Sequence, residues 1–417
     1  MKGLENCSRD NNGRPERHKT PGPYISSIAA ATKPCHHLQQ KHQKQQTMSR
    51  VQEELSTEDM IRGYVEVHNH GLSYIKSMAF WCAIQLGIPS AIHRHGGAAT
   101  LLDLVAETGI DPSKVRYLRR LMRVLTVSGL FAADQPVAGD DEGGDSTVVY
   151  KLTPASRLLA GGGAASADIS PMVHLLMRNT TSVATYFNLE EWLRGDATAS
   201  LFETVHGMTP WTMTKDDAAY NKVLNEACAA DSDFVLDTVL KEPGLARIFS
   251  GLSSLVDVGG GHGAAAVAVA RAFPHIRCSV LDLEQAVSDA PADHGTVVEF
   301  ISGDMFEYIP PVDGVLLKFV LHCWDDDSSV KILQQCKKAI PAREAGGKVI
   351  IMNMAVGYGT ENKTADEAQV WWDMFMMRHV GIEREEHEWK KIFIEAGFSD
   401  YKITPTVGFQ SIIEVFP

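Results

Sequence analysis

Three scarcities set the first limits on this 417-residue chain. No stretch approaches the roughly eighteen consecutive apolar residues that a membrane-spanning helix needs, so no membrane partner is expected. The seven cysteines (Cys7, Cys35, Cys82, Cys228, Cys278, Cys323 and Cys336) are odd in number, scattered, and without a Cys-x-x-Cys pair. That usage argues for reduced thiols in a cytoplasmic setting and against a zinc site, and no His/Asp/Glu cluster has metal-ligand spacing. Positive charge is the third scarcity. Asp and Glu outnumber Lys and Arg by 52 to 39, a net charge of -13, which disfavours a nucleic-acid partner by bulk electrostatics. What remains is 44% apolar, enough for two domains with a sizeable core.

Residues 1–47 stand apart. They are rich in Lys, Arg, His, Gln and Pro with almost no periodic apolar pattern, and read as a disordered leader. They lack the apolar segment of a secretory signal, and Glu5, Asp10 and Glu16 fit a transit peptide poorly; a natural start at Met48 is the alternative. From Glu53, apolar residues such as Ile61, Tyr64, Val65, Leu72, Ile75 and Met78 recur at three- and four-residue spacing, predicting an amphipathic helix. A second helix is expected over Ala79–Leu86, stopped by Gly87-Ile88-Pro89. Thr100 before Leu101, and Asp111-Pro112 before Lys114–Val127, supply caps for two more. Alternation at Leu130–Ala132 and at Val148–Leu152, across the acidic loop Gly139–Asp145, predicts a β-hairpin wing. Residues 48–160 thus read as a mostly helical, winged-helix-like domain. Lys114, Arg116, Arg119, Arg120 and Arg123 make one helix basic, but its other face is apolar and the body acidic. A solvated flank explains them better than DNA contact.

The remainder, 161–417, opens with a helical segment at 166–250 rich in Met, Phe and Trp. Such residues build core, or wall a pocket for a flat apolar ligand. Then Leu255-Val256-Asp257-Val258 runs into Gly259-Gly260-Gly261-His262-Gly263 and an alanine-rich run. Strand, glycine turn, helix is the first unit of a nucleotide-binding α/β domain. Gly259-x-Gly261-x-x-Ala264 also satisfies the loose dinucleotide fingerprint, so NAD stays open. Further strands are expected at Arg277–Leu281, Val297–Ile301, Gly314–Phe319 and Lys348–Met352, then Asp400–Pro405 and Gln410–Val415 after helices at Thr364–His379 and Glu386–Ala396. This is a seven-strand, Rossmann-like doubly wound sheet with a terminal hairpin. Polar residues at the carboxyl ends of its strands mark the ligand edge. Asp282 is placed for a ribose, and Asp304 with Met305 for an adenine.

The blocks LVDVGGGHG, LDLEQAV, GDMF, LLKFVLHCWDDD, GGKVIIMNM, GIEREEHEW and AGFSDYKI together resemble the plant class of S-adenosylmethionine-dependent O-methyltransferases acting on small phenolics. The likeness runs from about residue 53 to the C-terminus. It implies a winged-helix-like dimerisation domain before a Rossmann-like methyltransferase domain, working as a homodimer without metal. By the same resemblance Gly259 and Gly261 hold the donor, Asp282 its ribose, Asp304 and Met305 its adenine, with Lys318 nearby. His322 stands as general base. Glu383 matches one of two acids that flank the base in many relatives. The other position falls at Asn353, an amide that can accept a hydrogen bond but cannot favour an imidazolium by charge. Cys323, where relatives have Asp, reads as a packing residue. Trp211, Met208, Trp372, Met376 and Met377 are candidates for the acceptor pocket, and His262 and His379 stand near the cleft or in packing. Two other readings remain: an NAD-dependent oxidoreductase, and a winged-helix regulator with a relict methyltransferase domain.

Overall fold

The computed structural model describes residues 55–134, 148–161, 168–196, 199–359, 362–406 and 408–417. The expected leader and the acidic loop Gly139–Asp145 lie outside them. The chain divides into two units, one ending at Asn69 and one beginning at His70. The described part of the first is the start of α1 (Thr57–Gln85). Ser56 and Asp59 cap it reciprocally, Ser56 N donating to Asp59 Oδ2 at 3.2 Å and Asp59 N to Ser56 Oγ at 3.1 Å. Met60, Ile61, Tyr64 and Val67 stay exposed along it.

In the second unit α1 runs on to Gln85, so the helix boundary expected at Ala79 is absent. Neither Gly nor Pro stands between Leu72 and Leu86 to interrupt it. Gly87, at φ 65°, turns the chain, and Pro89 sits in the first turn of α2 (Ile88–Arg94). The Gly-Ile-Pro expected only as a stop is also a restart, because proline's missing N–H costs nothing at a helix start. After β1 (Ala98–Thr100) come α3 (Leu101–Thr108), held by a Thr100/Asp103 capping box, and α4 (Val115–Val127). Strands β2 (Phe131–Asp134) and β3 (Val149–Leu152) pair as the expected wing, and β1 adds a third strand in the order β1-β3-β2. Three residues are too few to show a period in the sequence. Ala83, Ile92, Leu104, Met122 and Phe131 form the core here, while Arg116, Arg120 and Arg123 are exposed on the far side of α4.

Helices α5 (Ser170–Leu176), α6 (Leu201–His206), α7 (Pro210–Asp216) and α8 (Ala218–Lys241) lead into the larger sheet. Its strands are β4 (Ser254–Val258), β5 (Arg277–Asp282), β6 (Glu299–Ser302), β7 (Gly314–Lys318), β8 (Lys348–Asn353), β9 (Asp400–Pro405) and β10 (Ser411–Phe416), in the order β6-β5-β4-β7-β8-β10-β9. β4 to β8 run parallel, and β10 is antiparallel to both β8 and β9. Helices α9 (Ala264–Ala272), α10 (Asp326–Ala339), α11 (Lys363–Met377) and α12 (Glu386–Glu395) complete the domain. β6 starts two residues later than expected because His294–Thr296 is a 3-10 turn.

Central strands read as unbroken apolar runs because both faces are covered. Val256, Val258, Leu316, Leu317, Val349 and Ile350 are all fully buried, each contributing about 1.5–3 kcal/mol. Truncating one, as in Leu316→Ala, would cost about 2–5 kcal/mol. The strand order reverses at β4, with β5 and β6 on one side and β7 and β8 on the other. Loops leaving the carboxyl ends of β4 and β7 therefore diverge, and a crevice opens between them.

Candidate active site

The crevice begins with a carboxylate inside an apolar strand. Asp257 on β4 is 1% exposed, and its Oδ2 has no hydrogen-bond partner among the described residues. Burial pushes its carboxyl up to about 7, with Lys318 pulling against that. Next the backbone turns through Gly259 (φ 69°) and Gly261 (φ 54°). A Cβ on Gly259 would lie 2.9 Å from Val320, and one on Gly261 2.8 Å from Asn225. Only glycine gives this turn its angle and its clearance. The Gly261 N–H donates to Asp282 Oδ2 at 2.7 Å, and Leu283 N–H to Oδ1 at 2.6 Å. Burial raises the Asp282 carboxyl despite these two bonds. Each of its oxygens keeps a second lone pair.

Asp304 accepts from Phe306 N–H at 2.8 Å, and Met305 packs on the main core with its flank in the cavity. Lys318 ends β7, ion-paired with Asp231 of α8 and 4.4 Å from the Phe319 ring centroid. Phe319 itself has φ 53°, a strained angle for a non-glycine residue. It turns the chain out of the strand into the short turn Leu321–Cys323, which carries His322.

His322 is 4% exposed and faces Phe319 in a stack 5.0 Å apart. Its Nδ1 lies 2.6 Å from Glu383 Oε1, and both side chains are buried. Burial alone would lower the imidazole, but the Glu383 charge, helped by Cys323, outweighs it and raises it to about 10. A carboxylate can only accept, so Nδ1 keeps its proton in both charge states, and once the ring gives up its other proton Nε2 becomes the acceptor. The base is held from behind as well. Arg384 donates to the carbonyls of Leu321 at 3.0 Å and Trp324 at 2.9 Å, and pairs with Asp326 at 3.0 Å. Ile382 N–H donates to the His322 carbonyl at 2.8 Å. That approach is open because a Cβ on Gly381 would run into the same carbonyl.

One cavity of about 310 Å³ joins the glycine turn to His322. Gly259, Gly261, Asp282, Asp304, Met305, Lys318 and His322 all line it, as do Trp211, Trp372 and Met376. Trp211 stacks on Trp324 at 5.7 Å. Four of the expected residues are outside its lining: Glu383, which meets it only through His322, and Met208, Asn353 and Met377. Met208 is half-buried and outside the lining, because the chain reaches the cavity only one turn later, at Pro210 and Trp211. Asn353 is fully buried, and neither amide atom has a hydrogen-bond partner among the described residues; its backbone pairs with Ser411 in the sheet, and it makes no hydrogen bond to His322. Met377 is likewise outside the lining, whereas His262 and His379 are in it. Asp257, Asp231, Asn225, Arg378 and Arg384 were not singled out from sequence. Asp257 had a visible signal, a carboxylate interrupting a buried apolar strand; Asn225 and Asp231 come from the distant helix α8, and Arg378 and Arg384 stand beside expected residues with nothing in the sequence to show that they are buried.

These features define a class: a Rossmann-like methyltransferase domain whose β4 turn and strand-end acids suit an adenosyl group, joined to a winged helical domain. The fit rests on the glycine turn that no side chain could fill and on Asp257 Oδ2, which has no partner among the described residues. Residues 69–162 match the O-methyltransferase dimerisation domain and 186–399 the O-methyltransferase domain. Acetylserotonin O-methyltransferase 2 of Oryza sativa subsp. japonica is 50% identical over 375 residues, covering 88% of this chain and 99% of the relative. Trans-resveratrol di-O-methyltransferase of Vitis vinifera is 42% identical over 360 residues, covering 86% and 97%. The fold also matches human N-acetylserotonin methyltransferase, solved in complex with SAM, at TM-score 0.69 and 18% identity over 87% of this chain and 99% of that one. The chain belongs to the S-adenosylmethionine-dependent O-methyltransferase family. The dinucleotide alternative falls with this: the sheet closes in an antiparallel hairpin, where a second mononucleotide half would be needed.

Proposed function

We propose that the chain methylates a hydroxyl of a small phenol, with His322 as general base and no metal, as a homodimer in the cytosol. The observation that carries this is the buried His322–Glu383 pair, 2.6 Å apart, at the wall of the cavity that the glycine turn opens. When bound, S-adenosylmethionine supplies a methyl group activated by its sulfonium. The chain's residues do the rest. Gly259 and Gly261 admit the donor to the backbone, Asp282 takes the ribose hydroxyls, and Asp304 with Met305 takes the adenine. Lys318, tied to Asp231, keeps the end of β7 in place. Trp211, Trp372 and Met376 clamp a flat acceptor ring, and its hydroxyl reaches His322.

His322 Nε2 then takes the phenolic proton as the oxygen attacks, and Glu383 stabilises the imidazolium that results. A phenol titrates near 10, like tyrosine, and the imidazole is raised to about 10. The Glu383 charge thus makes the neutral ring a stronger proton acceptor, and the share of the enzyme holding that neutral ring grows with pH. Phenolic acceptors are supported by the relatives, whose names include acetylserotonin and resveratrol. Homodimerisation is supported by the matched dimerisation domain and the apolar side chains left exposed on α1. Unpaired Cys82, Cys228, Cys278, Cys323 and Cys336 support a reducing compartment. Among the described residues no group of three His, Cys, Asp or Glu is placed to hold a metal, and no single helix is long and apolar enough to cross a membrane.

The test is calorimetric titration with S-adenosylmethionine, S-adenosylhomocysteine and NAD, followed by a methyl-transfer assay over a phenol panel. Binding of the adenosyl ligands, with transfer lost in His322→Ala, is the expected result. Donor binding without transfer to any phenol would instead favour a regulator with a relict domain.

A further inference from the structure

Two buried arginines stand six residues apart and are treated differently by the fold. Arg384 is fully buried and fully engaged, with Asp326 as its counter-charge and three further bonds to the Leu321 and Trp324 carbonyls and the Ser329 hydroxyl. Arg378, 3% exposed, lines the cavity. Its Nη1 donates to the Thr181 carbonyl at 2.6 Å and to Ser182 Oγ at 3.5 Å, and its Nε to the Phe375 carbonyl at 3.2 Å. Nη2 makes no hydrogen bond, and no carboxylate pairs with the cation among the described residues. Burial pulls its guanidinium below the ordinary arginine range, and Tyr220, Tyr186 and Cys323 oppose it. The Phe375 ring, 3.9 Å from the guanidinium carbon, softens the cost without supplying charge. A buried cation with no counter-ion is expensive.

The next residue points the same way. His379 lines the cavity, is 8% exposed, and its Nδ1 has no hydrogen-bond partner among the described residues. Burial, then Arg378 and His322, hold it well below the ordinary histidine range, so it sits neutral beside the cation. Adjacent residues of the lining thus carry an unspent charge and an unspent ring nitrogen, with Trp211, Trp372 and Phe375 among the other residues around the cavity.

We propose that Arg378, with His379 beside it, is a specificity-determining anion subsite of the acceptor pocket, and that the acceptor is a phenol that also carries a carboxylate. This rests on the phenol-methylating reading above. The missing counter-charge is brought by the substrate: its carboxylate accepts from Nη2, while its aromatic body packs between the tryptophans.

The experiment uses the full-length protein saturated with S-adenosylhomocysteine, titrated calorimetrically with cinnamate and with cinnamamide. These share a flat apolar body and differ in charge. Cinnamate is expected to bind about ten- to hundredfold tighter, the worth of a charge-assisted hydrogen bond in a buried site. Arg378→Gln should erase that preference and leave the amide's affinity unchanged, and Arg378→Lys should keep part of it. Equal affinity for acid and amide in the wild type overturns the proposal, as does an acid preference that survives Arg378→Gln, or no binding of either ligand. Should Arg378→Gln fail to fold for want of its Thr181 bond, the wild type and the Lys variant still decide. An acid preference without turnover of any phenol would sink the reaction and spare the subsite; turnover of phenols without an acid preference would do the reverse.

Discussion

The two ends of the cavity are built by different means. At the end where the proposed function seats the donor, the lining is backbone and short side chains at or just beyond strand ends: Gly259, Gly261, Asp282, Asp304. Asp282 is held in the sheet, and the others follow directly on its strands. At the acceptor end the walls are long side chains, Met172, Trp211, Trp372 and Arg378, carried on helices and their ends. The difference teaches where one sequence can vary without losing its chemistry. On the proposed function, the glycine turn has no room for a side chain, while the opposite wall is made of side chains that another flat or charged group could replace. His322 sits at the join.

The sharpest break of this comparison is at the join itself. His322→Ala should lower kcat by about 10²–10⁴-fold, the range of general-base catalysis, with S-adenosylhomocysteine affinity from calorimetry unchanged. A comparable fall in donor affinity would show that the two ends are not separable. Glu383→Gln comes next. Glu383 raises His322 to about 10, so the wild-type rate should climb with pH through neutrality toward that value. In the variant the climb moves to lower pH, and its alkaline plateau drops about tenfold or more for want of a charged hydrogen bond. An unmoved pH profile would remove Glu383 from its role.

Gly261→Ala probes the donor end alone. The added Cβ meets Asn225 at 2.8 Å with the backbone at φ 54°, and strain of about 1–3 kcal/mol should weaken donor binding about tenfold or more. Acceptor KM at saturating donor should stay put; a shift there would contradict the division. Asp257→Asn should have the smallest effect, on stability. Its folded carboxyl lies at about 7, above its unfolded value. The folded state therefore binds this proton more tightly, and the stabilising contribution, full below about pH 4, is lost as pH rises to about 7. The ligand-free wild type should thus lose melting temperature across that window relative to Asp257→Asn. Parallel melting curves would mean that Asp257 is not held protonated.

The same division explains how much could be read beforehand. The donor end was legible because its residues follow strands whose apolar runs show in the sequence, and the sheet places every strand end on one edge. All five parallel strands, the terminal hairpin and Asp282, Asp304, Met305, Lys318 and His322 were readable that way. The acceptor end was not. Met208 and Trp211 are three residues apart on bulky, apolar ground, and nothing in composition says which one reaches the cavity. Arg378 could not be told from a surface arginine until the acids around it were counted. Asn353 shows the limit of alignment by strand end: it occupies the expected position, yet the β8–β10 pairing holds it inside the sheet without a hydrogen bond to the base. The Ala79 boundary and the β1 strand were missed for want of local signal, one having no helix breaker and the other being too short.

The loop behind His322 has a consequence for how such an enzyme can change over generations. Met376, Arg378 and His379 line the cavity where the proposed function seats the acceptor, and within the next few residues Ile382 grips the His322 backbone, Glu383 its ring, and Arg384 its turn. Taste for a substrate and speed of reaction are thus written on one short ribbon of chain. A mutation that widens the menu also jostles the base, and it will often need a second change elsewhere to recover the lost rate. Lineages that switch acceptor by way of this ribbon should carry their substitutions in pairs, whereas those that switch by way of Met172 or Trp211, on separate helices, are free to take one step at a time.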